Sequence, residues 1–349
     1  MLFSLEHGLI ALSVIYCCVL LYATFVLKSK KSKTNNFTSK EILDALLFAI
    51  PISSALYFLD SLLFPVSFTK ILATNAPLLL VLTYVIVDEL FWRGFVFKKL
   101  NLFAQIGLFA AVTALVFSNG NLNLFINYFI SLVAIGATCS VSLQLAGPLA
   151  ATLTRVFFVI FALIPSDSRS IPLYFILLFA PIAYLYYKKN NLRSALDVLK
   201  ITPPVQSKKQ IAIQAFTLVI ATFLILLLEA LVLNSAHAND GEKIAATINQ
   251  FSLIALIVAV TLGPIAEEVF FRGFLQGKFG VVLTAIAFGL LHFGYGSLTE
   301  IIGALSIGLL FGWWVKYKNS TLWPVLIAHV IYNAFAITIA LNGTGLITW

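Results

Sequence analysis

The chain has 349 residues, of which 61% are hydrophobic and 10% are charged. A soluble domain is about 45–50% apolar and about 25% charged, so this composition excludes an ordinary soluble fold. Disorder is also excluded, because it needs low hydrophobicity and high net charge. The net charge of +8 comes from short basic clusters between apolar runs. This pattern is typical of topology-setting loops beside anionic lipid rather than of a nucleic-acid surface.

Apolar runs near the length of a membrane span follow one another along the chain. Since a span needs roughly 20 apolar residues and lipid cannot satisfy open backbone groups, each run is predicted to be a helix. The sequence therefore predicts an all-α, polytopic membrane bundle of about twelve transmembrane helices. The twelve runs are 8–27, 44–66, 73–97, 102–118, 123–143, 147–164, 171–187, 211–234, 250–277, 281–295, 298–315 and 321–342.

The basic residues support this count of spans. Alternating the twelve runs places sixteen of the 22 lysines and arginines on one side of the membrane and only Lys70, Arg169 and Lys243 on the other. Positively charged loops stay in the cytoplasm. Both termini are therefore predicted to face away from it.

An internal repeat divides the chain into two parallel halves of six spans each. Three matches occur in the same order in both halves: Asp88–Gly94 with Glu267–Gly273, Val112–Phe117 with Leu283–Phe288, and Pro148 with Pro324.

Three regions follow from this repeat. Residues 1–187 form an N-terminal membrane half and residues 211–349 form a C-terminal one. Residues 188–210 are a basic linker, which is predicted to lie on the cytoplasmic side and contains a short amphipathic segment, Leu192–Leu199.

Charged residues inside spans cost about 2.5–3.5 kcal/mol each and usually serve function. Glu267, Glu268 and Arg272 lie in the ninth predicted span. Glu268 and Arg272 are four residues apart and can pair on one helix face, whereas Glu267 points about 100° away. Glu267 is thus available as a general base or acid in a cavity. The alternative is a purely structural Glu–Arg bridge.

Histidines occur in the spans that follow this pair. His292 lies in the tenth span, and His329 and Asn333 share one face of the twelfth. Counted from the cytoplasmic ends of their helices, Glu267, His292, His329 and Asn333 reach a similar depth, which predicts one polar site. Glu267, His292 and His329 can hold zinc if a metal is present, and the same residues can act without one.

These three motifs, Glu-Glu-x-x-x-Arg, Phe-x-x-x-His and His-x-x-x-Asn, resemble those of the CPBP intramembrane proteases. This family includes the CAAX prenyl endopeptidases of the Rce1 type and the bacterial Abi or bacteriocin-immunity proteins. The resemblance covers about 260–340 and implies a glutamate-dependent endopeptidase in a bacterial inner membrane, cutting a peptide or protein substrate near the membrane surface. It implies that Glu267 and His292 activate a water, that His329 and Asn333 stabilise the oxyanion, and that Glu268 and Arg272 orient the site.

The first half departs from this pattern. It keeps Asp88, Glu89 and Arg93, but Asn121, Leu153 and Phe157 stand where the second half has His292, His329 and Asn333. Without a histidine, this copy is predicted to be a catalytically inactive scaffold with a structural charge network. Asp60, Glu229 and Arg155 are further charged residues inside spans, and the sequence assigns them no chemistry.

Two other functions fit the same sequence. Twelve spans in two parallel halves is the layout of one large class of secondary transporters, in which intramembrane charges act as proton relays. A non-catalytic immunity protein could bind a peptide in the same pocket. The concentration of polar residues in one half argues against a transporter site between the halves, and the complete set of three motifs argues against lost chemistry.

Overall fold

A computed structural model describes residues 9, 10, 12–18, 38–63, 76–95, 101–164, 171–203, 206–318 and 320–342. Regular structure in these ranges is helical throughout, without a strand, which confirms the all-α prediction. Seven of the described helices are long and apolar enough to cross a membrane. The protein is therefore an integral membrane protein, built as a polytopic helical bundle. The first predicted span, 8–27, lies mostly outside the described residues, as do Lys70 and Arg169.

Two compact units divide the chain, Met1–Pro165 and Ser166–Trp349. The described helices of the first unit are α1 (Ser39–Leu63), α2 (Leu78–Glu89), α3 (Leu102–Phe117) and α4 (Leu122–Ala162). Those of the second unit are α5 (Ile171–Lys189), α6 (Leu192–Val198), α7 (Lys208–Ser235), α8 (Glu242–Ile248), α9 (Leu253–Val260), α10 (Leu262–Glu268), α11 (Gln276–Leu291), α12 (Leu298–Tyr317) and α13 (Trp323–Asn342). The helix of the seventh predicted span, α5, belongs to the second unit. The functional boundaries at 187 and 210 stay a prediction.

Two pairs of predicted spans are joined end to end at a kink. The fifth and sixth predicted spans correspond to the two parts of α4, and the ninth and tenth lie in the stretch Leu253–Tyr295. The change of direction within each is made by a glycine, Gly147 with φ 81° and Gly280 with φ 76°. Only glycine adopts such a positive φ at low cost, so the chain changes direction at these two residues, and Ala146 beside Gly147 is also non-helical.

A π-helix follows directly after the carboxylate pair in each unit. It covers Leu90–Phe95 after Asp88 and Glu89, and Val269–Leu275 after Glu267 and Glu268. Short π-helices within α-helical segments are rare and are frequently found at functional sites. Their presence at matching positions of the two units agrees with the repeat in the sequence.

Close packing between α11 and α12 fixes one wall of the second unit. A Cβ atom added at Gly308 would lie 3.1 Å from the Ala285 Cβ, and one added at Gly289 would lie 3.0 Å from the Ile301 carbonyl oxygen. Small residues let membrane helices approach this closely. The end of α11, where His292 lies, is thereby held against the beginning of α12.

The amphipathic segment of the predicted linker forms the helix α6, and the chain after it packs against other parts of the second unit. Leu199 is fully buried. The Lys200 carbonyl accepts a hydrogen bond from the Leu322 amide at 3.0 Å, and the Thr202 carbonyl accepts one from Trp323 Nε1 at 3.2 Å. These contacts tie the linker to the beginning of α13, the helix that carries His329.

Candidate active site

The paired carboxylates of the second unit end α10, just before its π-helix. Glu268 is fully buried, and its Oε1 accepts a hydrogen bond from Arg272 Nη1 at 2.9 Å. The predicted Glu268–Arg272 pair is therefore formed. Glu267 points in another direction and lines a cavity, as the helical spacing predicts.

His329 on α13 contacts both carboxylates. Its Nδ1 lies 2.9 Å from Glu268 Oε1, and its Nε2 lies 3.7 Å from Glu267 Oε2. Glu268 thus faces two partners, His329 and Arg272, whereas Glu267 faces only the edge of the His329 ring. This difference leaves Glu267 the more available of the two carboxylates.

His292 is oriented by the helix that it ends. Its Nδ1 lies 2.9 Å from the Phe288 carbonyl oxygen. Because a carbonyl oxygen can only accept a hydrogen bond, Nδ1 must carry a proton, so the neutral ring has its lone pair on Nε2. The ring also stacks on Tyr295, with centroids 6.2 Å apart. The Nε2 atom of His292 is therefore a base of fixed direction in the same cavity.

Asn333 lies one turn after His329 on α13 and lines the cavity too. Its Nδ2 donates to the Ala259 carbonyl at 2.9 Å. This bond uses one of the two amide hydrogens and fixes the side chain, which leaves the second N–H as a donor.

The cavity in the second unit has a volume of about 590 Å³, and polar side chains from several helices line it. Pockets of about 300–1,000 Å³ lined mainly by apolar side chains with a few polar groups are typical of ligand sites. Four of the six predicted site residues line the cavity, and the other two lie behind them. The four are Glu267, His292, His329 and Asn333, and the two are Glu268 and Arg272.

Residues 249–335 match the family model of the type II CAAX prenyl endopeptidases, Rce1-like. This part of the chain is similar to an Rce1-like domain. The match covers about a quarter of the chain and includes all six predicted site residues. Searches of the curated proteins and of the solved structures found no match.

The Rce1-like domain has no metal cluster among its described residues. Nowhere in the described ranges are three or more His, Cys, Asp or Glu side chains arranged to hold a metal ion. Of the possible zinc ligands Glu267, His292 and His329, the last has both ring nitrogens directed at carboxylates. The three side chains are therefore not arranged as a metal site among the described residues.

Phe288 holds the Rce1-like site together, although the sequence indicated it only as part of a motif. Its ring centroid lies 4.3 Å from the Arg272 guanidinium, 4.7 Å from the His292 ring and 6.2 Å from the His329 ring. Phe288 is almost completely buried. One aromatic ring thus separates and orients the three cationic or basic side chains of the site.

Two glutamates of the cavity wall were also missed as site residues, Glu229 on α7 and Glu300 on α12. The sequence placed Glu229 inside a span without a role. Glu300 stands near the beginning of a span, where an acidic residue usually only complements the helix dipole.

In the first unit the corresponding carboxylates, Asp88 and Glu89, form ion pairs with two arginines. Arg93 Nη1 lies 3.2 Å from Glu89 Oε1, and Arg155 Nη1 lies 3.0 Å from the same oxygen. Arg155 also forms an ion pair with Asp88. All four side chains are buried. The charge network predicted from Asp88, Glu89 and Arg93 is present, and Arg155 completes it.

Proposed function

We propose that this protein is an intramembrane endopeptidase in which Glu267 is the catalytic base. One observation carries the proposal: Glu267 and His292 face one cavity, while the neighbouring Glu268 is occupied by Arg272 and His329. A carboxylate whose contact with His329 is long, at 3.7 Å, and which lies in one cavity with a second histidine is suited to take a proton from water. The Rce1-like domain supports the reaction class, peptide hydrolysis at a membrane.

The side chains divide the reaction as follows. Glu267, assisted by His292 Nε2, removes a proton from water, and the oxygen of that water bonds to the carbonyl carbon of the substrate. The resulting oxyanion accepts a hydrogen bond from the free Asn333 N–H. It accepts a second one from His329 Nε2–H when that ring is doubly protonated, since Nδ1–H already donates to Glu268. Preorganised donors of this kind supply much of the catalysis in acyl transfer. The proton held on Glu267 then passes to the leaving nitrogen as the carbon–nitrogen bond breaks.

Glu268 and Arg272 are positioning residues in this scheme. Their ion pair is buried and fixes His329 through Nδ1, so that the ring faces the cavity in one orientation. Catalysis depends on this positioning, because a misplacement of about 1 Å can slow a reaction roughly 100-fold.

The substrate is proposed to be a peptide or protein segment at the surface of a bacterial inner membrane. The cavity is mostly apolar, which suits a segment that arrives from lipid, and no part of the scheme requires nucleic acid or a cofactor.

The test compares peptide termini in membranes that contain wild-type protein or a variant. We expect new termini, identified by mass spectrometry, with the wild type and with the exposed-carboxylate control Asp197→Asn. They should be absent with Glu267→Gln and with His292→Ala at equal amounts of folded protein. If both site variants produce the wild-type termini, Glu267 is not the base. If no new termini are found in membranes that contain the wild type, the protein is not a protease, and transport or non-catalytic peptide binding becomes the proposed function.

A further inference from the structure

A second pair of carboxylates lies in the wall of the same cavity. Glu229 on α7 and Glu300 on α12 both line it. A Cβ atom added at Gly303 would lie 3.5 Å from Glu229 Oε2 and 3.6 Å from Glu229 Oε1. Gly303 follows Glu300 by three residues on one face of α12. The Glu229 carboxylate therefore packs against the turn that carries Glu300.

No salt bridge to lysine or arginine is formed by Glu229 or Glu300 in the part of the chain that the structure describes. Both oxygens of Glu229 are buried without a hydrogen-bond partner. The Glu300 amide donates to Ser297 Oγ. The residues that line the cavity include no lysine or arginine. Unpaired ionised carboxylates inside a membrane protein are expensive unless they are protonated or paired with a cation, so a positive charge brought by a ligand would stabilise the ionised pair.

The Glu229–Glu300 pair lies in the same cavity as the proposed catalytic residues Glu267 and His292. Tyr332 lines this cavity together with them. Tyrosine rings attract cations in addition to the carboxylates. A cation bound at this pair would therefore belong to the molecule whose peptide bond lies at Glu267.

We propose that Glu229 and Glu300 bind an organic cation of the substrate, an ammonium or guanidinium group, and thereby set the position of the cut peptide bond. This inference rests on the proposed endopeptidase function. Charge-assisted hydrogen bonds to carboxylates are among the strongest available to a ligand. The cation comes either from a lysine or arginine side chain or from the free amino terminus of a peptide.

Cleavage mapping tests the proposal and separates the two sources. Wild-type sites should carry lysine or arginine at one constant position, which indicates a side chain, or should lie at a constant distance from a free amino terminus, which indicates the terminal amine. The double variant Glu229→Gln/Glu300→Gln should lose cleavage of these sites on the order of 100-fold, whereas Asp197→Asn should not. Wild-type sites with neither preference, or unchanged cleavage by the double variant, would overturn the inference. Termini that are unchanged in Glu267→Gln would instead overturn the proposed function.

Binding gives a readout that does not depend on catalysis. Hexylammonium should raise the unfolding temperature of the purified wild type and of Glu267→Gln, and hexanol should not. The double variant should show no such rise. Without ligand it should unfold at the wild-type temperature or above, because the substitutions remove unpaired buried carboxylates. A double variant that unfolds well below the wild type would assign the pair to the stability of the bundle and contradict a ligand site.

Discussion

Arg155 makes in the first unit the contact that His329 makes in the second. Arg155 Nη1 lies 3.0 Å from Glu89 Oε1, and His329 Nδ1 lies 2.9 Å from Glu268 Oε1. A guanidinium stays charged and carries donors only, whereas an imidazole can give or take a proton. The two units therefore keep a similar arrangement of charges, but at this position only the second has an imidazole, which can give or take a proton near neutral pH.

Replacing Arg155 should destabilise the protein without changing its chemistry. Arg155→Met leaves Asp88 and Glu89 buried with one cation fewer, and breaking a buried pair costs about 3–5 kcal/mol. Thermal unfolding in detergent should show this loss, while cleavage per folded molecule stays at the wild-type level. Asp88→Asn/Arg155→Met should recover part of the stability, since both partners are then neutral. A stable Arg155→Met variant with altered cleavage would give the first unit a catalytic role.

Phe288→Leu should slow catalysis while the protein stays folded. The ring contacts Arg272, His292 and His329, and a misplacement of about 1 Å can cost roughly 100-fold in rate. We expect kcat to fall by that order and KM to change little. Phe335→Leu is the matched control, because Phe335 is an exposed aromatic on α13. Equal kcat values for the two variants would show that Phe288 only fills space.

The sequence could predict which polar side chains meet at the cavity because much of that arrangement depends on spacing along single helices, while their catalytic role stays a prediction. Glu268 and Arg272 are one turn apart, as are His329 and Asn333, and helical geometry brings each pair together. Charged residues in an apolar chain also stand out, which is why Glu267 was found.

Contacts between helices could not be predicted in the same way. The repeat aligned Leu153 and Phe157 with the site residues of α13, yet Arg155, which lies between them, reaches the carboxylates. The meeting of Glu229 with Glu300 depends on how α7 and α12 pack, which no local pattern records. Hydropathy separates the spans on either side of Gly147 and of Gly280. It does not report that the chain changes direction at a single glycine between them.

Gly273→Ala should disturb the π-helix that carries Arg272. A Cβ atom at Gly273 would lie 2.9 Å from the Leu199 carbonyl oxygen, and backbone cannot move aside as a flexible side chain would. Overpacking of this kind costs about 1–3 kcal/mol, so the unfolding temperature and cleavage should both fall. Gly277→Ala is the control, because nothing lies within 4 Å of its added Cβ. Its expected effect is a gain of about 0.5–1 kcal/mol. Equal stability of the two variants would show that the linker is not firmly docked at Leu199.

Asp240 anchors the loop before α8 to the beginning of α12. Its carboxylate accepts hydrogen bonds from Ser297 Oγ at 2.7 Å and from the Leu298 and Thr299 amides at 3.0 Å each. Lys243 Nζ lies 3.1 Å away. Partial burial works against ionisation, but the hydrogen bonds from Thr299, Ser297 and Leu298 outweigh it and hold the pKa of Asp240 well below its usual range.

The pH dependence of stability follows from the sign of this shift. Because the folded pKa of Asp240 is lower than the unfolded value of about 4, its stabilisation is complete above that value and is lost as the pH falls towards the folded pKa. Asp240→Asn should therefore unfold at a lower temperature than the wild type near neutral pH, and the difference should shrink below about pH 4. Glu242→Gln, an exposed neighbour, should follow the wild type throughout. A difference between Asp240→Asn and the wild type that persists undiminished in acid would mean that the anchor depends on hydrogen-bond geometry and not on the ionised carboxylate.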